Sequence, residues 1–243
     1  MTNITLKILC LAAGAALLLP ASAQADFELD LAVNGGPLVN VASTPSTSLN
    51  YTLNNGGFSG QVSASTNDPA AGASSGYISY ATLNMTNNNA TTASIELLLG
   101  DTSFTGPGTN PATLTLAQSG GGELTGGTLT ISMQSFADPY NGQNTTSGTG
   151  VAALSSGTYT TTSTAPFTLN SSSTTLIKTQ SLYSLTNVVN ITLSPKAGFS
   201  QLNDNGTTLT NPPPGPIPEP ASLALLAAGG LGLLMRRRRK VES

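Results

Sequence analysis

Between residues 26 and 210, apolar side chains recur at every second position in short runs. Phe27, Leu29, Leu31 and Val33 alternate with Glu28, Asp30 and Ala32. Leu129, Ile131 and Met133 alternate with Thr128, Thr130, Ser132 and Gln134. Tyr183, Leu185, Val189, Ile191 and Leu193 share one parity, with Thr186, Asn190 and Thr192 on the other. A period of two with threonine-rich polar faces predicts half-buried antiparallel strands. Further runs at 48–54, 58–65, 77–86, 93–99, 112–118 and 158–169 predict more of them. Asn34-Gly35, Asn55-Gly56, Asn141-Gly142 and Asn205-Gly206 favour φ > 0 and predict tight turns. Gly120 to Gly122 and Ser147 to Gly150 read as looser connections. No helical period is sustained anywhere in this region, and no fixed-period repeat is visible. The prediction is therefore all-β: an antiparallel β-sandwich of roughly eight to twelve strands. Low charge and abundant Ser, Thr and Asn also fit a low-complexity stalk, but the repeated alternation argues for a packed core. About 185 residues suffice for one domain, or for two small ones.

The two ends break this pattern. Near the N-terminus, Lys7 precedes a continuous apolar run from Ile8 to Leu19, closed by Pro20. Ala21-Ser22-Ala23 and Ala23-Gln24-Ala25 both offer the small residues that signal peptidase requires. Residues 1–25 thus read as a secretory signal peptide, cleaved after Ala23 or Ala25. Cleavage after Ala25 is favoured and leaves Asp26 first. The run is short for a membrane span, which argues against an uncleaved anchor. Cys10 has no lipobox before it and leaves with the signal, so the mature chain has neither disulfide nor thiol chemistry.

At the other end, residues 211–220 read NPPPGPIPEP, a polyproline II stalk. Residues 221–235 form an uncharged apolar stretch predicted to be a single transmembrane helix, short at roughly 22 Å. Arg236, Arg237, Arg238, Arg239 and Lys240 follow at once within the tail 236–243 and act as a stop-transfer signal on the cytoplasmic side. Export of the N-terminus then places the middle outside, so the two signals agree.

Composition sharpens the picture. The chain has no His and no Trp, and only 8% of its residues are charged. Without His, Ser-His and Cys-His nucleophile activation and imidazole metal sites are excluded. The whole-chain net charge of −3 hides a segregation, because nine acids face only Lys178 and Lys196 between Asp26 and Ile217. That acidic middle lacks the clustered Lys and Arg that phosphate contacts need, so nucleic acid is not an expected partner.

Pro218, Glu219 and Pro220, followed by a short apolar helix and a terminal arginine cluster, resemble the PEP-CTERM sorting signal. The same signal is also named the ice-binding protein C-terminal domain. The resemblance covers only about the last 25 residues. It implies an exported protein of a Gram-negative-type bacterium that makes exopolysaccharide. Its implied partners are signal peptidase, an exosortase-type processing enzyme and the membrane, and it passes through an inner-membrane intermediate to the cell surface or matrix. The competing reading is an ordinary stop-transfer anchor, which the short helix and near-absent tail disfavour.

The remaining constellations carry little chemistry. Gly72-Ala73-Ser74-Ser75-Gly76 has the spacing of a nucleophile elbow, but no His exists to activate the serine. Glu96 with Asp101 is a candidate carboxylate pair for glycoside hydrolysis, weakened by the absence of Trp and the few Tyr. Asp26, Glu28 and Asp30 share one strand face. A calcium site is one reading and a solvated face the preferred one, because same-face neighbours lie ~7 Å apart. Asn203-Asp204-Asn205-Gly206 reads as a turn, since no Glu follows at the calcium-loop position. Outward threonines (Thr113 and Thr115, Thr128 and Thr130, Thr160 to Thr162) fit a glycan- or ice-facing ladder, or simple strand propensity. Asn-x-Ser/Thr sequons such as Asn84, Asn144 and Asn190 read as products of composition. The expectation is a non-enzymatic exported protein, structural or adhesive, associated with exopolysaccharide and needing no metal or cofactor. The alternative is a carbohydrate-binding or, more weakly, carbohydrate-cleaving module.

Overall fold

The structure is a computed structural model, and it describes residues 27–67, 75–105, 112–177 and 182–210. The predicted signal peptide, Asp26, and the predicted stalk, transmembrane helix and basic tail lie outside the described residues. Twelve strands follow one another: β1 (Phe27–Val33), β2 (Val39–Thr44), β3 (Ser48–Asn55), β4 (Phe58–Thr66), β5 (Ser75–Asn87), β6 (Ala93–Thr105), β7 (Ala112–Thr125), β8 (Leu129–Asp138), β9 (Ala152–Thr161), β10 (Phe167–Ile177), β11 (Leu182–Leu193) and β12 (Gly198–Thr210). They form two six-stranded antiparallel sheets. One, sheet A, has the order β2-β1-β6-β11-β8-β9, and the other, sheet B, has the order β10-β7-β12-β5-β4-β3.

One hydrophobic core lies between the sheets. Phe27, Leu29 and Leu31 of β1, Ile95, Leu97 and Leu99 of β6, and Val189, Ile191 and Leu193 of β11 come from sheet A. Phe58 and Val62 of β4, Ile78, Tyr80 and Leu83 of β5, and Phe199 of β12 come from sheet B. The alternation read from sequence is thus the inward-facing half of each strand. Burying such side chains contributes about 25 cal/mol per Å² of apolar surface removed from water. With no cysteine among the described residues, this burial and the strand ladders hold the fold.

A polar seam crosses the core. Ser135 of β8 donates its hydroxyl to Gln118 Oε1 of β7 at 2.9 Å and lies 2.6 Å from Thr207 Oγ1 of β12. Gln118 Nε2 donates back to Met133 O at 3.3 Å. Tyr80 donates from its buried phenol to the carbonyl of Asn187 at 3.5 Å. The Asn187 side chain, fully buried, has no hydrogen-bond partner on either amide atom. These cross-sheet bonds fix how the two layers register, which apolar contacts alone do poorly.

Three local readings are corrected. Gly120 to Gly122 is no connection but the interior of β7, opposite Phe167, Thr168 and Leu169 of β10. Glycine is needed there: a β-carbon on Gly122 would collide with the Phe199 ring and sit 2.7 Å from Ser200 O. Asn203 to Gly206 lies within β12, where the register is irregular, and not in a turn. The run 158–169 is not one strand, because a turn at 162–166 divides it between β9 and β10. Asn34-Gly35 and Gly56-Gly57 do take positive φ in the β1–β2 and β3–β4 turns.

Candidate functional site

Strand register lays out the outer face of sheet A as a grid. Glu28, Gly100, Thr186 and Phe136 form one cross-strand row, and Asp30, Leu98, Val188 and Gln134 the next. Ala32, Glu96, Asn190 and Ser132 form a third, and Ser94, Thr192 and Thr130 continue a fourth. The first two rows, apart from the exposed Gln134 at the end of the second, lie under or beside the β8–β9 connection, 139–151. That connection bends back because Asp138 accepts from Tyr140 N and Gly142 N, both at 2.9 Å, and because Asn141 and Asn144 take left-handed φ. Ser184 donates to Gly142 O at 2.7 Å and Gln143 Nε2 donates to Gly100 O at 3.3 Å. Beneath it Leu98, Phe136 and Val188 make a second small cluster with Val151. This cover explains why three apolar side chains occupy the solvent parity.

The third and fourth rows stay open. With the β1–β2 turn they line a concavity of about 380 Å³ bordered by Ala32, Leu38, Ser94, Glu96, Asn190 and Thr192. Leu38 and Val39 are exposed beside it, at 44% and 55%. A carboxylate, an amide and two hydroxyls around an apolar floor can accept and donate hydrogen bonds to a polyhydroxyl ligand. A second concavity, about 460 Å³, lies on the outer face of sheet B. Gly60 and Gly198 hollow its floor; Asn84, paired with Ser200 at 3.0 Å, and Lys196 stand at its wall. Lys196 also donates to Asn88 O. Both concavities sit at the end of the sandwich that carries the short turns, whereas Thr210, opposite Ser75 and Thr115, ends at the other.

The sequence-predicted residues distribute unevenly. Glu28 and Asp30 do share the outer face, and Asn144 Nδ2 donates to both, at 3.3 Å to Glu28 Oε2 and 2.7 Å to Asp30 Oδ2. Glu96 and Asp101 do not pair: five positions apart on a regular stretch of β6, they face opposite sides, Glu96 outward and Asp101 buried. Of the five-residue elbow motif, only Ser75 and Gly76 fall in a described strand. Among the threonines, Thr130 and Thr160 lie 3.1 Å apart and Thr192 is in register with Thr130. Asn190 lines the concavity of sheet A and Asn84 that of sheet B. The contacts of Asn144 were hidden, because no local pattern links a loop amide to a strand distant in sequence. A group of three or more Asp, Glu, His or Cys side chains is not found among the described residues.

Residues 216–240 match the family model of the PEP-CTERM protein-sorting motif. The chain carries a PEP-CTERM sorting signal. The motif marks an exported protein handled by an exosortase-type enzyme, on the route through the membrane to the surface of Gram-negative bacteria. Pro218, Glu219, Pro220 and the arginines 236–239 all fall within the matched stretch. No curated protein matches the chain. A solved structure of TmCBM61 in complex with β-1,4-galactotriose is similar over 68% of this chain and 90% of that one, at 11% identity and a TM-score of 0.33. That likeness is too slight to bear on fold or ligand.

Proposed function

We propose that this PEP-CTERM protein is a non-enzymatic structural or adhesive component of the cell surface, associated with extracellular polysaccharide. The sorting motif at 216–240 carries the reading. In it, residues 1–25 direct export and are removed after Ala25. Pro218, Glu219 and Pro220 are the recognition element, 221–235 holds the chain in the membrane, and Arg236 to Arg239 halt it. Within the sandwich, the last described strand ends at one end and both open concavities lie at the other.

A carbohydrate-binding module is the second reading, favoured by the Glu96–Asn190 shelf on sheet A. Glycan-array binding by the full chain, with hydrolysis measured in parallel, separates the two. Saturable binding lost in Glu96→Ala and Asn190→Ala supports a binding module. Turnover of any glycan contradicts the non-enzymatic reading.

A further inference from the structure

We propose that a calcium ion is held on the outer face of sheet A, between Glu28, Asp30 and the 139–151 connection. The Asn144 amide nitrogen already occupies a cation's place, within hydrogen-bond distance of one oxygen from each carboxylate. The second Asp30 oxygen, Oδ1, is buried with no partner. Thr186 provides an independent sign. Its side chain is 1% exposed, lies on this outer face, and its Oγ1 has no partner either. Gly100 stands between Thr186 and Glu28 in the same cross-strand row. It has no side chain, and Asn144 Oδ1 fills the space a β-carbon would take. Glu28 and Asp30 of β1 and Asn144 of the connection therefore meet beside this glycine, with Thr186 of β11 its neighbour in register.

Buried oxygens without donors cost free energy unless something neutralises them. Among the described residues Lys196 is the single Lys or Arg, and it is engaged with Asn88 at the far end of the sandwich. A hard cation with a variable oxygen shell answers this set. Turning the Asn144 amide over would exchange its nitrogen for Oδ1, leaving two carboxylates, an amide oxygen and the Thr186 hydroxyl as ligands, with water completing the shell. Calcium fits better than magnesium, because one of the four protein ligands, Asn144, comes from a loop outside the strands and magnesium demands near-ideal octahedral geometry. The ion would clamp the connection that covers Leu98, Phe136 and Val188.

The test uses the full chain in detergent, stripped with chelator and titrated with calcium chloride to about 10 mM, above the 10⁻⁴–10⁻³ M range of extracellular calcium modules. The expected results are a saturable calorimetric isotherm and a melting temperature raised by about 5–10 °C at ~100-fold excess over Kd. Magnesium at the same concentration should give a much smaller rise. Asp30→Asn and Glu28→Gln should each weaken binding by about tenfold or more, with Thr186→Val weakening it severalfold while the calcium-free protein melts no lower than the parent. A flat isotherm with no thermal shift overturns the proposal. So does binding of undiminished affinity in Asp30→Asn and Thr186→Val, which would place the ion elsewhere.

Discussion

Single residues in the core show how differently two buried polar groups behave. Ser135 is bonded to Gln118 and lies against Thr207, so Ser135→Ala leaves an acceptor without its donor. A loss of about 1–3 kcal/mol is expected in urea unfolding. Asn187 sits beside Ser135 in register, but its amide has no partners. Asn187→Leu should therefore be neutral or stabilising, while a loss comparable to that of Ser135→Ala would show that the amide is satisfied in solution. Tyr80 gives a pH signature. Burial, then the charges of Asp30 and Glu96, raise its phenol well above the ordinary value of 10.0. Below pH ~10 both states are protonated and this group adds no pH dependence. Above it the unfolded phenol releases its proton and the folded one does not, so stability falls as pH rises toward the folded value. Tyr80→Phe should flatten that alkaline decline, measured as unfolding free energy between about pH 9 and 11. None of these partnerships was legible in sequence: Ser135 and Thr207 are 72 positions apart and look like any other strand residues.

Elements were read more reliably than residues. Where one face meets the core and the other meets solvent, alternation survives, and β1, β3, β4 and the open halves of β8 and β11 were visible for that reason. β2 was missed because a bulge at its pairing with Leu29 and Asp30 breaks the period, and Val39 is exposed on this edge. Gly120 to Gly122 misled because the need for glycine comes from a ring and a carbonyl of other strands, not from a turn. Gly122→Ala should accordingly destabilise by about 1–3 kcal/mol through overpacking, whereas Gly126→Ala, with open space around it, is penalised only by its φ of +70°. Comparing the two by thermal unfolding checks the assignment. At the outer edge of sheet A, β9 carries a bulge where Ser156 Oγ accepts from Met133 N at 3.1 Å, replacing a lost ladder bond. Such bulges discourage edge-to-edge association.

Over the whole molecule, charge segregation and end signals carried the functional reading, while the middle gave the architecture. The described residues, which include no cysteine, fold as two antiparallel sheets, and the sorting motif occupies 216–240. The outer face of sheet A was only half legible: Glu28 and Asp30 were seen together, but the loop that meets them is more than a hundred positions away. The most direct test of sorting is C-terminal peptide mapping, by mass spectrometry, of the protein recovered from the surface of cells carrying an active exosortase. Sorting at the motif predicts no peptide containing Arg236 to Lys240, and accumulation of the intact chain when Pro218, Glu219 and Pro220 are replaced by alanine. Mature surface protein that retains its arginines would contradict it and return the segment to an ordinary membrane anchor.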